Sequence, residues 1–167
     1  HADGYAGFEE LFRTRGIREV ACLAHVRRKF FDIAKDQGSS IAAEAVARIA
    51  ELYAIEDEAR GRPPDERARI REAKARPVFD ALSGWLQGQL QKVSAKSDLA
   101  GAIRYALTRL PRLEVYLSDG RLEIDNNAAE RAIRGLAIGR KNWLFAGSEA
   151  GGQTAAVAYT LIETAKL

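Results

Sequence analysis

The chain has 167 residues, of which 47% are hydrophobic and 29% charged, enough for one sizeable domain or one domain with an insertion. It holds no run of about 18 apolar residues, which argues against a membrane span, and no charged-then-apolar stretch of the signal-peptide kind. The single cysteine, Cys22, rules out an internal disulfide and fits a reducing cytosol, while a net charge of +3 and a pI near 9.1 lean weakly towards an anionic partner.

The chain contains no methionine. Together with a final apolar helix that runs to Leu167, this sets the expectation of a piece excised from a longer protein, with any site it holds incomplete.

Residues 6–15 carry Phe8, Leu11 and Phe12 at helical spacing, and Gly16 follows where a helix C-terminus favours glycine. "IREVACL" (17–23) is short and partly β-branched and reads as a strand. A helix is predicted from about Ala24 to Lys35, with Val26, Phe30 and Ile33 on one face, ending at Asp36-Gln37-Gly38. If the residues before Asp3 form a strand, residues 1–23 make a strand–helix–strand unit. Such units are parallel and right-handed, so both strands end at one sheet edge.

From Ser39 to about Thr108 the pattern is helix after helix. Ile41, Ala45, Ile49 and Leu52 line one helix, and "GRPP" (61–64) breaks the chain. Leu82, Trp85, Leu86 and Leu90 line a second, while Leu99, Ile103 and Leu107 line a third. Pro77 falls inside a helical pattern and should start or kink a helix there. After this "GRLEI" (120–124) is predicted extended, Asp125–Gly139 helical, "NWLFAGS" (142–148) strand or ordered loop, and a helix runs from about Gln153. No glycine-rich phosphate loop has the required spacing. The fold class expected is α/β but predominantly helical: core residues 1–38, an all-helical insertion over 39–118, and core again over 119–167.

Glu130 carries two readings. Asn127-Ala128-Ala129-Glu130 has the spacing of a capping box, in which each side chain satisfies the other's backbone donor. Yet Asp125, Asn126 and Asn127 supply three caps where one suffices. Arg131, Arg134, Arg140 and Lys141 also crowd the same helix, as they would to hold a phosphate backbone beside a metal. Asp3 stands at the end of the expected first strand, where parallel sheets place ligand sites, but an Asp before Gly is also a common turn residue. Cys22 and His25 form a CxxH. Zinc would need four ligands, and one Cys and two His do not supply them. Cys22 is expected to pack. His25 is open between packing and shaping a site with Asp3.

Arg60, Arg62, Arg67, Arg69, Arg71, Lys74 and Arg76 interleave with Asp57, Glu58, Asp65, Glu66 and Glu72, the pattern of a salt-bridged, solvated helix face. Trp85 and Trp143 read as core anchors, with Trp143 the better placed to meet a ligand.

Seven segments in order, "ADGYAGF", "CLAHVRRKFFD", "IAELYAIE", "KSDLAGAIRYAL", "GRLEIDNNAAERAIR", "GRKNWLFAGS" and a "GG" leading into "YTLIETAKL", closely resemble the C-terminal part of the bacterial insertion sequence 66 transposase family. That family is similar to other DDE transposases, whose ribonuclease H-like core is interrupted by a helical insertion between the second and third catalytic carboxylates. The resemblance implies a partial ribonuclease H-like core. It makes Asp3 the second Asp of the triad and Glu130 the third carboxylate, both metal ligands, with Cys22 and His25 matching a motif that supports the site. It also implies Mg2+ or Mn2+, since two divalent ions can activate the attacking oxygen and stabilise the leaving one in displacement at phosphorus. Arg131, Arg134, Arg140, Lys141 and Asn127 would contact the DNA.

The first catalytic Asp would lie upstream of residue 1, so this chain by itself is expected to be inactive. The whole enzyme would cut transposon ends and join their 3′-hydroxyls to target DNA in the bacterial cytoplasm, at the nucleoid. A homo-oligomer and accessory transposition proteins fit the same picture. The alternative is a non-catalytic helical DNA-binding or interaction module, a decayed transposase remnant.

Overall fold

The computed structural model describes residues 9–14, 18–143 and 147–165, with the side chains of residues 9, 11, 14, 136–137, 140–143 and 163 outside that description. Every regular element among the described residues is helical. In chain order these are α1 (Glu9–Thr14), α2 (Leu23–Gln37), α3 (Ser40–Ala59), α4 (Pro64–Ile70), a π-helical turn (Arg71–Ala75), α5 (Arg76–Leu90), α6 (Asp98–Leu113), α7 (Val115–Ser118), α8 (Asn127–Trp143) and α9 (Glu149–Thr164). The chain divides into two compact units, residues 1–126 and 127–167.

In the first unit α2 packs on α3 and α6, and α5 packs on α3 and α6. The predicted apolar stripes supply much of the contact: Val26, Phe30 and Ile33 from α2, Ala45, Ile49 and Leu52 from α3, Leu82 and Leu86 from α5 and Ile103 from α6 are buried in one core, joined there by Phe79, Ala106 and Leu110, while the predicted Trp85, Leu90, Leu99 and Leu107 pack half-buried against it. Each fully buried Leu, Ile or Phe contributes about 1.5–3 kcal/mol by leaving water, so this face, rather than helix propensity, holds the bundle together.

Local chemistry sets the helix ends. Gly38 stops α2 in the left-handed region at φ 63°, and its N–H donates to Ala34 O at 3.1 Å. Ser39 starts α3 by accepting from the Ala42 N–H at 3.3 Å, and Ser97 starts α6 by accepting from the Ala100 N–H at 3.1 Å. Pro63 and Pro64 open α4, where a missing N–H costs nothing.

Pro77 acts as its sequence context demands. A proline inside a helix crowds the carbonyl four residues back, and here the turn before it is widened. The Arg76 N–H donates to Arg71 O five residues back, after which α5 continues with Pro77 in its first turn.

Of the strand expected over residues 17–23, the described residues 18–23 form none. Residues 18–22 carry no regular secondary structure and Leu23 opens α2. Val20, Ala21, Cys22 and Leu23 are buried, which explains the apolar, β-branched composition. Their backbone donors turn not to a neighbouring strand but to single carbonyls, Ala21 N–H to Arg112 O at 3.4 Å and Leu23 N–H to Ile124 O at 3.1 Å. "GRLEI" is a run of turns and bends, and α9 starts at Glu149, before the predicted Gln153. Of "NWLFAGS", Asn142 and Trp143 close α8, residues 144–146 lie outside the described residues, and Gly147 and Ser148 form a bend.

The second unit is α8 and α9. Ile133 and Ile138 on α8 and Val157, Leu161 and Ile162 on α9 are exposed.

Candidate functional site

The segment from Tyr116 to Asn126 is the last of the first unit, and its backbone is fastened at close intervals. Three carbonyls near its start, those of Tyr116, Asp119 and Leu122, accept from Arg71: Nη1 donates to Tyr116 O at 2.9 Å and Asp119 O at 3.2 Å, and Nη2 to Leu122 O at 2.9 Å. Arg71 is wholly buried, with a relative exposure of 0%. Its remaining donors take both oxygens of Glu56 on α3, Nε to Oε2 at 2.9 Å and Nη2 to Oε1 at 2.5 Å. All five guanidinium N–H groups are thereby satisfied. Arg67, one turn earlier, adds a bond to Glu56 Oε1 at 2.8 Å and another to Glu123 at 2.9 Å. The Arg71 guanidinium also lies 5.1 Å from the centroid of the Tyr116 ring. Burial, and then the Glu56 charge, push the Tyr116 hydroxyl above the ordinary tyrosine range.

Further along, the segment meets the CxxH. Ile124 O accepts from the Leu23 N–H, and the Asn126 N–H donates to Cys22 Sγ at 3.3 Å. Between them the Tyr53 hydroxyl on α3 donates to Asp125 Oδ2 at 3.1 Å. Burial, followed by the neighbouring Asp125 carboxylate, raises the Tyr53 hydroxyl beyond the tyrosine range. Cys22 is 3% exposed and packs as expected. His25, half-buried, lies in the first turn of α2 three residues from it.

Glu130, half-buried, lies in the first turn of α8, which starts at Asn127. The unpaired N–H groups of a first turn favour a negative side chain there. Arg131 and Arg134 are exposed on the same helix. The backbone of Arg140 and Lys141 belongs to α8, while their side chains, like that of Trp143, lie outside those described. Asp3 lies outside the described residues altogether. Among the described residues no three His, Cys, Asp or Glu side chains gather closely enough to hold a metal ion. A divalent cation of the magnesium type takes several hard oxygens, and Glu130 alone does not furnish them.

The interleaved charges of residues 57–76 behave in large part as a solvated face. Arg60 pairs with Asp57, Arg69 with Asp65, Lys74 with Glu58 and Arg76 with Glu72, all at 3.0 Å or less. Arg67 and Arg71 are the correction. Placed by sequence on that face, they are half-buried and buried and hold the segment that precedes α8. Neither they nor Glu56 and Tyr53 stood out as site residues. Their spacing matches that of their exposed neighbours, although Tyr53 and Glu56 fall within the matched segment "IAELYAIE". Trp85 is half-buried against the core, with the Arg48 guanidinium 4.9 Å above its ring.

A separate cleft of about 780 Å³ is lined by Arg13, Arg18, Arg76 and Arg112 together with Glu19 and Glu114. Arg112 is committed to Glu19 at 2.5 Å and Arg76 to Glu114 at 2.7 Å.

The sequence model of the transposase IS66 family matches residues 1–154. Three proteins of Sinorhizobium fredii (strain NBRC 101917 / NGR234), each named only as an uncharacterized protein, are similar along 99% of the chain: y4qI at 44% identity, y4jD at 41% and y4hP at 40%. The chain spans about a third of their length, 32%, 34% and 33% respectively. No solved structure matches significantly. The chain belongs to the IS66 family of transposases.

Proposed function

We propose that this chain is the C-terminal part of the catalytic region of a DDE-type transposase, and that Glu130 is one of the carboxylates at which DNA strand cleavage and strand transfer take place. Family membership over residues 1–154 supports the reading. The observation that carries it to a residue is the position of Glu130, in the first turn of α8 beside the exposed Arg131 and Arg134.

In this reading Asp3 is the partner carboxylate and His25 supports the site from the start of α2. The ribonuclease H-like core is completed by parts of the longer protein. Mg2+ or Mn2+ is the metal the family resemblance implies, with Asp3 and Glu130 as its ligands. Of that pair, Glu130 lies among the described residues and Asp3 outside them. Arg131 and Arg134, with Arg140 and Lys141, hold phosphate oxygens by charge-assisted hydrogen bonds, and Asn127 offers an amide to the backbone. Such contacts position DNA without reading its bases. They place the scissile phosphodiester for in-line attack, first by water and then by the freed 3′-hydroxyl on the target strand. The partners are thus transposon ends and target DNA, with a homo-oligomer and accessory transposition proteins as further proposals. The setting is the bacterial cytoplasm, and no helix among the described residues is long and apolar enough to cross a membrane.

The test is transposition by the full-length protein carrying Glu130→Gln, which keeps size and removes charge. Loss of cleavage with DNA affinity retained is expected. Wild-type transposition would remove Glu130 from the catalytic set and leave it only its place at the helix start.

A further inference from the structure

We infer that the arginine-lined cleft of the first unit binds a short stretch of unpaired DNA strand, with Arg13, Arg18 and Arg112 on its phosphates and Phe12 against a base. This is a DNA contact separate from the one proposed on α8. It draws on membership of a transposase family and does not depend on the role of Glu130.

The charges of the cleft do not balance. Its lining holds four arginines against two glutamates, a surplus of two positive charges. Arg76 is spent, since it donates to Glu114 and, through its other nitrogens, to Glu72. Arg112 gives Nη1 to Glu19. That carboxylate is 10% exposed and the Arg112 side chain 49%, so the anchor lies inside while the rest of the fork stands at the surface. Arg13 and Arg18 are exposed and meet no carboxylate among the described residues. On the face of residues 57–76, by contrast, Arg60, Arg69 and Lys74 are each matched by an acid.

The same deficit continues along α6. Tyr105, Arg109 and Arg112 share one side of that helix by their spacing. Lys29 of α2 and Arg109 both lie against the Tyr105 ring, 4.7 and 5.1 Å from its centroid. Neither has a carboxylate partner among the described residues, and the buried Nε of Arg109 has no acceptor. Cations grouped without acids repel one another, and an external polyanion relieves that cost.

The remaining lining decides which polyanion. Phe12, Pro111 and Val115 set an apolar wall beside the arginines. A basic groove with an aromatic ring takes single strands, the phosphates on the cations and a base on the ring. Exposed guanidinium forks suit phosphate, which they can meet with two parallel bonds. The volume of about 780 Å³ is in the range that encloses ligands of nucleotide size, and a duplex is too thick to enter. An acidic peptide would answer the charges and leave Phe12 unused.

The test titrates the full-length protein, over a range of salt, with a labelled single-stranded oligonucleotide of random sequence and with its duplex. In Arg13→Ala with Arg18→Ala the slope of log affinity against log salt for the single strand should fall by about 1.4, at about 0.7 per phosphate lost. Phe12→Ala should weaken the single strand about tenfold. Duplex binding should change little in either. Arg60→Ala with Arg69→Ala, on the salt-bridged face, should leave the single-strand slope unaltered. Photo-crosslinks from 4-thiothymidine in the strand should map to residues 12–18 or 111–118. An unchanged slope in the Arg13 and Arg18 variant overturns the inference, as does an equal fall in the Arg60 and Arg69 variant. Equal losses on strand and duplex would overturn the assignment to unpaired DNA. Competition by polyglutamate as effective as by the strand, and lost in the same variant, would give the cleft to an acidic peptide instead. The substituted arginines are exposed, and an unshifted thermal melt checks that each variant is folded.

Discussion

The Tyr53 hydroxyl donates to Asp125 at 3.1 Å, joining the middle of α3 to a residue 72 positions later, two before the start of α8. Tyr53→Phe should cost about 0.5–1.5 kcal/mol in urea unfolding, the net worth of one hydrogen bond. A change below a few tenths would show the contact to be idle. The neutral phenol is favoured in the fold, first by burial and then by Asp125. A raised folded pKa means that the stability it contributes is present below the ordinary tyrosine value of 10.0 and is lost as pH rises above it. Stability should therefore fall above about pH 10, and fall less steeply in Tyr53→Phe. Equal slopes would contradict the assignment.

Arg71→Met leaves Glu56 buried beside Arg67 alone and three carbonyls without their donor. Breaking one side of a buried pair costs about 3–5 kcal/mol, and we expect a loss in that range by chemical denaturation. Arg71→Met with Glu56→Leu removes both charges and should cost clearly less than the two single losses added together. Simple additivity would mean that the two side chains do not act as a unit.

Gly120 is buried, and a Cβ there would run into the backbone carbonyl of Pro64. Gly120→Ala should destabilise by about 1–3 kcal/mol, the scale of overpacking. Gly84, inside α5, has nothing within 4 Å of such a Cβ. Gly84→Ala should gain about 0.5–1 kcal/mol from the lower conformational entropy lost on folding. A thermal-melt comparison of the two variants tests the close approach directly, since the same substitution is expected to act in opposite directions.

Asp119 is held near pKa 2, first by the hydrogen bond from the Arg121 side chain and then by that from its backbone N–H. A depressed carboxylate contributes stability above its unfolded value, here 3.8, which is lost as pH falls towards 2. An NMR titration of the Asp119 carboxyl should show a midpoint near 2, moving up towards 3.8 in Arg121→Ala. A midpoint near 3.8 in the unsubstituted protein would refute the pairing.

The helices of the first unit were legible because burial there follows the 3.6-residue period. Val26, Phe30 and Ile33, or Ala45, Ile49 and Leu52, announce their face directly. Pro77 announced a disturbance, and its form, a widened turn upstream, follows from the crowding it relieves. Residues 18–22 misled because burial alone selects the same apolar, β-branched residues that a strand does, and nothing local says whether a partner strand exists. Arg67 and Arg71 were illegible for the converse reason. A charged residue four from another charge looks the same whether it faces water or turns inward, and only Tyr116, Asp119 and Leu122, far along the chain, decide it. For the site, the sequence picked out Cys22 and Asp125–Asn127 separately. That Cys22 and Asn126 touch is a tertiary fact.

The widened turn at Arg71–Ala75 has a consequence for how this region can change length. An α-helix advances 3.6 residues per turn, so each residue carries about 100° of rotation. The widened turn closes over five residues where an ordinary turn closes over four, so deleting one residue from it would restore ordinary winding and leave α5 facing the core much as before. Phe79, Leu82 and Leu86 would keep their place in the core, whereas deleting Val78, where the winding is ordinary, would turn them out together. Gly61, exposed in the turn between α3 and α4 with nothing around it, should accept an extra residue. The widened turn and the Gly61 loop thus tolerate length changes of opposite sign, one by giving up its extra residue and the other by gaining one.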